Sequence, residues 1–208
     1  MRNMVLKDNC FVICVSGIIA SGKTSLIKKL SEIRNDAISL LWDDYDHLLK
    51  LDFDDRLKWI QEGPDFNKWR TEEFVEDIHS LLNGKSIKHP ISKEVIHPVK
   101  YIIIEDPTGR IREVMSKIID FLIFIELPFE VSLVRLINRE LNNTQRWGNS
   151  DQMLKFFKQY ISDYLPFYYP MYKYVEERIR KDADLIVNGM QSVDEIAENV
   201  VSRFNDLL

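Results

Sequence analysis

The sequence predicts an α/β domain in which helices wind both faces of a mainly parallel, five-stranded sheet, with a helical insertion and a lid added to it. Three observations predict it. Short, almost wholly apolar runs read as strands covered on both faces, amphipathic stripes at helical spacing lie between them, and a glycine-rich string joins the first run to the first stripe.

The first run is residues 11–16, FVICVS, closed by Gly17. Leu26, Ile27, Leu30 and Ile33 then recur on one helical face, and residues 37–42 form a second run that ends in the acidic turn Asp43-Asp44. This alternation is a βαβ unit, and closing it brings the second strand near the first. Residues 52–83 read as helical and more polar, with Phe74, Val75, Ile78, Leu81 and Leu82 on one face and Asn83-Gly84 as the stop. Residues 87–98 carry Pro90 and Pro98 and suit an edge hairpin or extended loop, so an insertion is expected over about residues 44–99. YIIIE at 101–105 and FLIFIEL at 121–127 are two more buried strands, separated by a helical face of Ile111, Val114, Met115 and Ile118. Residues 185–187 supply a fifth, and Val193, Ile196, Ala197, Val200, Val201 and Phe204 form the face of a closing helix. No repeat or linker interrupts the pattern, so residues 1–208 are expected to form one domain.

Composition narrows the function classes. Acidic residues outnumber basic ones by 33 to 28, a net charge of -5, so no nucleic-acid or membrane surface is expected, and a homo-oligomer is neither required nor excluded. No apolar run is long enough to span a bilayer, the first ten residues carry no leader-like run, and Cys10 and Cys14 read as reduced core residues. A cytoplasmic protein is expected. His47, His79, His89 and His97 show no metal spacing.

Gly17-Ile18-Ile19-Ala20-Ser21-Gly22-Lys23-Thr24, followed by Ser25, matches G-x-x-x-x-G-K-[ST]. The string sits between a buried strand and an amphipathic helix, where loop N–H groups and a helix N-terminus converge on one anion. Its two glycines allow close backbone approach, Lys23 neutralises β- and γ-phosphate oxygens, and the Thr24 hydroxyl can ligate Mg²⁺. Gly17, Ala20, Ser21, Gly22, Lys23, Thr24 and Ser25 are therefore the expected contacts to ATP in a P-loop NTPase fold.

Ligands of open α/β sheets lie at the carboxyl ends of the strands, where Asp43, Asp44, Glu105 and Asp106 fall. Phosphoryl transfer needs a carboxylate that orients or receives the acceptor proton and another near Mg²⁺, and Asp43 and Glu105 are the candidates. Asp44 and Asp106 are expected to cap helices or face solvent. Asp106-Pro107-Thr108-Gly109 mimics the D-x-x-G switch of GTPases, but the guanine-reading N-K-x-D is missing. After Pro128-Phe129-Glu130, Arg135 and Arg139 share a helical face, and Arg146, Trp147 and Gly148 follow in a polar stretch. Arginines able to close over ATP make a lid of about residues 139–151.

These strings resemble the uridine kinase and nicotinamide riboside kinase branch of P-loop kinases over nearly the whole chain. GIIASGKT is similar to the family P-loop, WDDYD to the acid-aromatic element after strand two, and GPDFNKW with EDIHSLLNGKSI to the substrate-side helix. YIIIEDPTGR resembles the I-I-E-G strand end, FLIFIELPFEVSLVRLINRE the strand and arginine lid helix, and YPMYKYVEERIRKDADLIVNG the closing helix and adenine-side loop. The resemblance implies Asp43 as base for the acceptor hydroxyl and Glu105 near Mg²⁺ or the sugar. It also implies Asp65 on the sugar hydroxyls, Arg135 and Arg139 on the phosphates, and Asn188-Gly189 beside the ATP base. Asp46 replaces an aromatic, Asp106 a glycine and Glu140 the lid aspartate of the family pattern.

Tyr45, Trp69 and Arg146 are added as substrate contacts. Trp42, Trp59 and Phe66 lie on the same side, although aromatics at helical spacing are usually core, as Tyr164, Phe167, Tyr168, Tyr169, Tyr172 and Tyr174 are expected to be. The expected activity is ATP-dependent, Mg²⁺-assisted transfer of the γ-phosphoryl group to a hydroxyl of a small metabolite, a nucleoside or riboside-like one. The alternative is a regulatory ATPase that binds nucleotide without phosphorylating a small molecule.

Overall fold

The computed structural model describes residues 10–45, 53–69 and 71–205. Asp46 and His47 lie outside them. Five parallel strands form the sheet: β1 (Phe11–Gly17), β2 (Ala37–Leu40), β5 (Tyr101–Glu105), β6 (Phe121–Glu126) and β7 (Leu185–Asn188), in the order β2-β5-β1-β6-β7. A separate antiparallel hairpin joins β3 (Ile87–Lys88) to β4 (Val95–Ile96).

Alternation along the buried strands divides the core into two faces. Phe11, Ile13, Val15, Ile103, Ile123 and Ile125 pack against α1 (Lys23–Ile33) and α8 (Val193–Asn205) through Leu26, Ile27, Leu30, Ile196, Ala197 and Val200. Val12, Cys14, Ile102, Ile104, Leu122 and Phe124 face the other way. They meet Phe74, Ile78 and Leu81 of α3 (Glu72–Leu82), Met115 and Ile118 of α4 (Glu113–Ile118) and Ile179 of α7 (Tyr169–Asp182). Helices on both faces explain why these strands read as continuous apolar runs. Both cysteines are buried and neither is in a disulfide.

Several boundaries differ from the sequence reading. The second strand ends at Leu40, and Trp42–Tyr45 is a 3-10 turn rather than strand. Nor does that strand lie beside the first, because β5 pairs with both and separates them. The polar helical stretch is two helices, α2 (Phe53–Gln61) and α3. They are parted where Gly63 takes a left-handed φ of 91°, Pro64 follows, and Phe66–Lys68 forms a 3-10 turn. Over the stretch expected to form a lid, α5 (Phe129–Asn142) is followed by a 3-10 turn at Thr144–Trp147 and by α6 (Ser150–Asp163), and a π-helical turn at Tyr164–Tyr168 joins α6 to α7.

Arg110 closes the amino ends of β6 and β7. Its side chain is almost wholly buried and donates to the carbonyls of Ile119 (3.1 Å), Asp120 (2.9 Å) and Asp182 (3.0 Å) and to the Asp184 carboxylate (2.6 Å). Asp184 in turn accepts from Leu122 N–H at 2.8 Å. Replacing Arg110 with Ala leaves three carbonyls and a carboxylate without their donor. A loss of about 3 kcal/mol or more is expected in urea unfolding. Because the change lies at the end of the sheet opposite the carboxyl edge, the folded fraction should bind nucleotide as before.

Candidate active site

A cleft of about 620 Å³ opens at the carboxyl ends of β1, β2 and β5. Gly17, Ile19, Ala20, Gly22, Lys23, Thr24 and Ser25 floor it, from the end of β1, the turn after it and the first residues of α1. That turn is left-handed at Ala20 (φ 56°) and Gly22 (φ 100°), and it is braced from the lid side by the Ser132 hydroxyl, which donates to Ile19 O at 2.6 Å. Gly17 needs its missing side chain. A Cβ there would stand 2.7 Å from Ser21 Oγ and 2.9 Å from the Ile125 carbonyl.

Lys23 is the first residue of α1 and only 9% exposed. Its ammonium donates to Ile18 O at 3.1 Å and stands 3.6 Å from a Glu105 carboxylate oxygen. Burial pulls the ammonium below the usual lysine range. Glu105 and then Asp43 oppose that, and Arg139 adds to it slightly as a like charge. Glu105 also accepts from the Thr24 hydroxyl at 2.9 Å. The Thr24 hydroxyl and the Glu105 carboxylate are hard oxygen donors side by side, with Asp43 lining the same cleft, and this donor set fits Mg²⁺.

Asp43 reaches the cleft from the 3-10 turn after β2, and Trp42 and Trp69 line the wall beside it. Arg135 and Arg139 come from α5, one turn apart. Arg135 donates to Gly189 O at 3.0 Å, which ties the loop after β7 to the cleft. Arg139 is half exposed and pairs with the buried Glu140 at 3.0 Å.

Four expected site residues lie outside this cleft, and a fifth stays in the loop with its side chain turned away. Asp65 N-caps the 3-10 turn, accepting from Asn67 N–H at 3.0 Å, and lines a separate cavity of about 420 Å³ with Arg110 and Arg178. Tyr45 is buried and donates to Asp77 at 2.8 Å. Burial first, then that bond, raises its pKa, so it packs rather than facing the cleft. Arg146 is held by Glu140 at 3.1 Å, and Asn188 caps its own turn by accepting from Met190 N–H at 2.9 Å. Ser21 turns its side chain under the loop, where its hydroxyl is buried.

Other lining residues gave no local signal. Pro107, Met171 and Tyr172 complete the wall, and Tyr172 had read as packing only. Asp106, expected to cap or face solvent, is fully buried and ion-paired with Arg112. Asp44 is paired with His89 at 3.4 Å.

No family model matches the chain. It is 26% identical to a uridine kinase of Chlamydia pneumoniae over 191 residues, covering 86% of this chain and 81% of that one. With a uridine kinase of Lactococcus lactis subsp. cremoris (strain MG1363) it is 27% identical, covering 94% and 98%. Among solved structures, a possible uridine kinase from Bacillus stearothermophilus shares the fold with a TM-score of 0.54 at 16% identity, over 88% of this chain and 90% of that one. A sugar kinase from Janibacter sp. HTCC2649 does so with a TM-score of 0.51 at 13% identity, over 94% and 95%.

The crowding at Gly17 can be tested directly. Gly17→Ala should displace the loop and weaken ATP binding by at least about tenfold, or about 1.4 kcal/mol. The ATP-dependent rise in Tm should shrink accordingly while far-UV circular dichroism stays that of wild type.

Proposed function

We infer that this chain is a small-molecule kinase of the uridine kinase-like P-loop kinases, and we propose that it transfers the γ-phosphoryl group of ATP to a hydroxyl of a nucleoside or riboside-like metabolite. The observation that carries the proposal is the convergence of Lys23, Thr24, Glu105, Asp43 and Arg139 on one cleft at the carboxyl edge of the sheet. Similarity to uridine kinases over most of the chain supports the acceptor class.

In this reading the loop after β1 cradles the phosphates with its N–H groups, and Lys23 exchanges part of its pairing with Glu105 for the β- and γ-oxygens. Thr24 and Glu105 hold Mg²⁺, which when bound neutralises charge on those oxygens. Asp43 accepts a hydrogen bond from the acceptor hydroxyl and takes its proton as the new O–P bond forms. The bond from γ-phosphorus to the bridging oxygen breaks, and its electron pair leaves with ADP. Arg135 and Arg139 approach from the α5 side, where they stabilise the charge on the transferred group. The Trp42 and Trp69 side of the cleft receives the acceptor.

Asp43→Asn keeps the size and one acceptor oxygen but removes basicity. With both substrates still bound by calorimetry, kcat should fall by roughly 10² to 10⁴-fold. Turnover within a few-fold of wild type would move the base elsewhere. A protein that binds ATP yet releases no ADP in a screen of nucleosides, vitamin ribosides and sugar alcohols would instead be a nucleotide-binding regulator.

Arg139→Ala should lower kcat more than it raises the KM for ATP, because a charge that completes its approach during transfer acts mainly on the transition state. Steady-state kinetics with ATP varied at saturating acceptor separates the two constants.

A further inference from the structure

Arg112 takes no part in the chemistry above, yet it is among the largest fully buried side chains of the described residues, at 1% exposure. Each arm of its guanidinium is used. Nε donates to Thr108 Oγ1 at 3.2 Å, one terminal nitrogen to Thr71 Oγ1, and the other to the Asp106 carboxylate. The second Asp106 oxygen accepts from both the N–H and the hydroxyl of Thr108, each at 2.7 Å. Its Cζ atom lies over the Trp42 ring, 4.6 Å from the ring centre.

Three stretches of chain therefore meet on one cation. Asp106 directly follows Glu105 at the end of β5, Thr108 begins the next turn, Thr71 is the N-cap residue of α3, and Trp42 directly precedes Asp43. Trp42 also packs at 5.9 Å on Phe74 of α3 and at 5.9 Å on Trp69. Glu105 ends β5 and Asp43 lies three residues past the end of β2, and the ladder between these neighbouring strands last pairs Leu40 with Ile104. Past that ladder, the Arg112 cluster joins the Trp42-Asp43 turn to the turn after β5.

A buried ion pair is a poor device for stability, since apolar residues of similar volume usually hold a core as well or better. What a forked, planar cation supplies is a fixed direction to each partner. We propose that Arg112, with Asp106, is a positioning residue: from behind the cleft it fixes the Trp42-Asp43 turn relative to Glu105, and so sets how the acceptor hydroxyl meets the phosphoryl group. The functional half of this statement rests on the kinase reading above, whereas the structural half does not.

Two variants test it. Asp106→Asn with Arg112→Met removes both charges together, so neither is left buried and unpaired, and the Asn oxygen can still accept from Thr108. Arg112→Lys keeps the charge facing Asp106 but loses the fork and the flat face toward Trp42. In both, kcat/KM for the acceptor should fall by about 10- to 100-fold, the scale of an ångström-sized misplacement, while the KM for ATP stays within about twofold. Independently of activity, hydrogen exchange should speed up at least about tenfold at Asp44 N–H, which bonds to Leu41 O at 3.1 Å, with the protection of β1 and β6 unchanged. A purely structural role would lower protection throughout and leave the ratio of acceptor to ATP effects unmoved. Wild-type acceptor kinetics and wild-type exchange at Asp44 in the Arg112→Lys protein would overturn the proposal, whether or not the double variant folds. A wild-type protein that phosphorylates no acceptor would overturn the kinase reading alone, and the exchange measurement would then decide the positioning claim.

Discussion

The buried ammonium of Lys23 is the constraint around which the rest of the structure is arranged. A lysine only 9% exposed cannot keep its charge without nearby oxygens, and burial does pull its pKa down. The chain answers with the Ile18 carbonyl at 3.1 Å and Glu105 at 3.6 Å. Glu105 can stand there only because β5 pairs directly with β1, in a register that sets Val15 against Glu105. Sheet order and phosphate loop are thus one requirement seen twice. Inserting β5 between β1 and β2 brings a carboxylate to the lysine and moves Asp43 one strand further out, to the side of the cleft where Trp42 and Trp69 lie.

The same balancing of charge governs the lid side. Glu140 is 1% exposed, and two half-exposed arginines, Arg139 and Arg146, share it at 3.0 and 3.1 Å. A carboxylate so deeply buried is tolerable only with cationic partners, and here one partner lines the cleft while the other does not. The pair leaves a net positive charge at the end of α5. That suits an anionic ligand beside Arg139.

How much of this was legible follows from how far apart the cooperating residues lie. The strands were readable because burial on both faces makes them apolar throughout, and the phosphate loop because its eight residues are consecutive. Asp43, Glu105, Arg135 and Arg139 were reachable from the rule that strand ends and the following helix face the ligand. Asp65, Tyr45, Arg146 and Asn188 do not line the cleft for local reasons, each being held by a neighbour: Asn67, Asp77, Glu140 and Met190 respectively. Arg112 was invisible for the opposite reason. Its bond to Thr71 spans 41 positions, and no periodicity links them.

The two halves of the cleft consequently carry different kinds of information. The loop half is built from one continuous stretch of chain, so its signal is written locally. The other half, where the proposed function puts the acceptor, gathers Trp42, Trp69, Pro107, Met171 and Tyr172 from segments far apart in sequence. Tyr172 is tied to Tyr160 of α6 by a 3.3 Å hydroxyl contact, and burial pushes the Tyr160 phenol up to about 12 and raises Tyr172 as well. Both therefore stay neutral at physiological pH, and the wall can hydrogen-bond a ligand without placing a negative charge beside a triphosphate. Because that wall is set by packing between α6, α7 and the turn after β2, the proposed function implies that acceptor preference can shift through substitutions that never touch the acceptor, whereas phosphoryl transfer would respond to changes in the loop, Asp43, Glu105 or the α5 arginines.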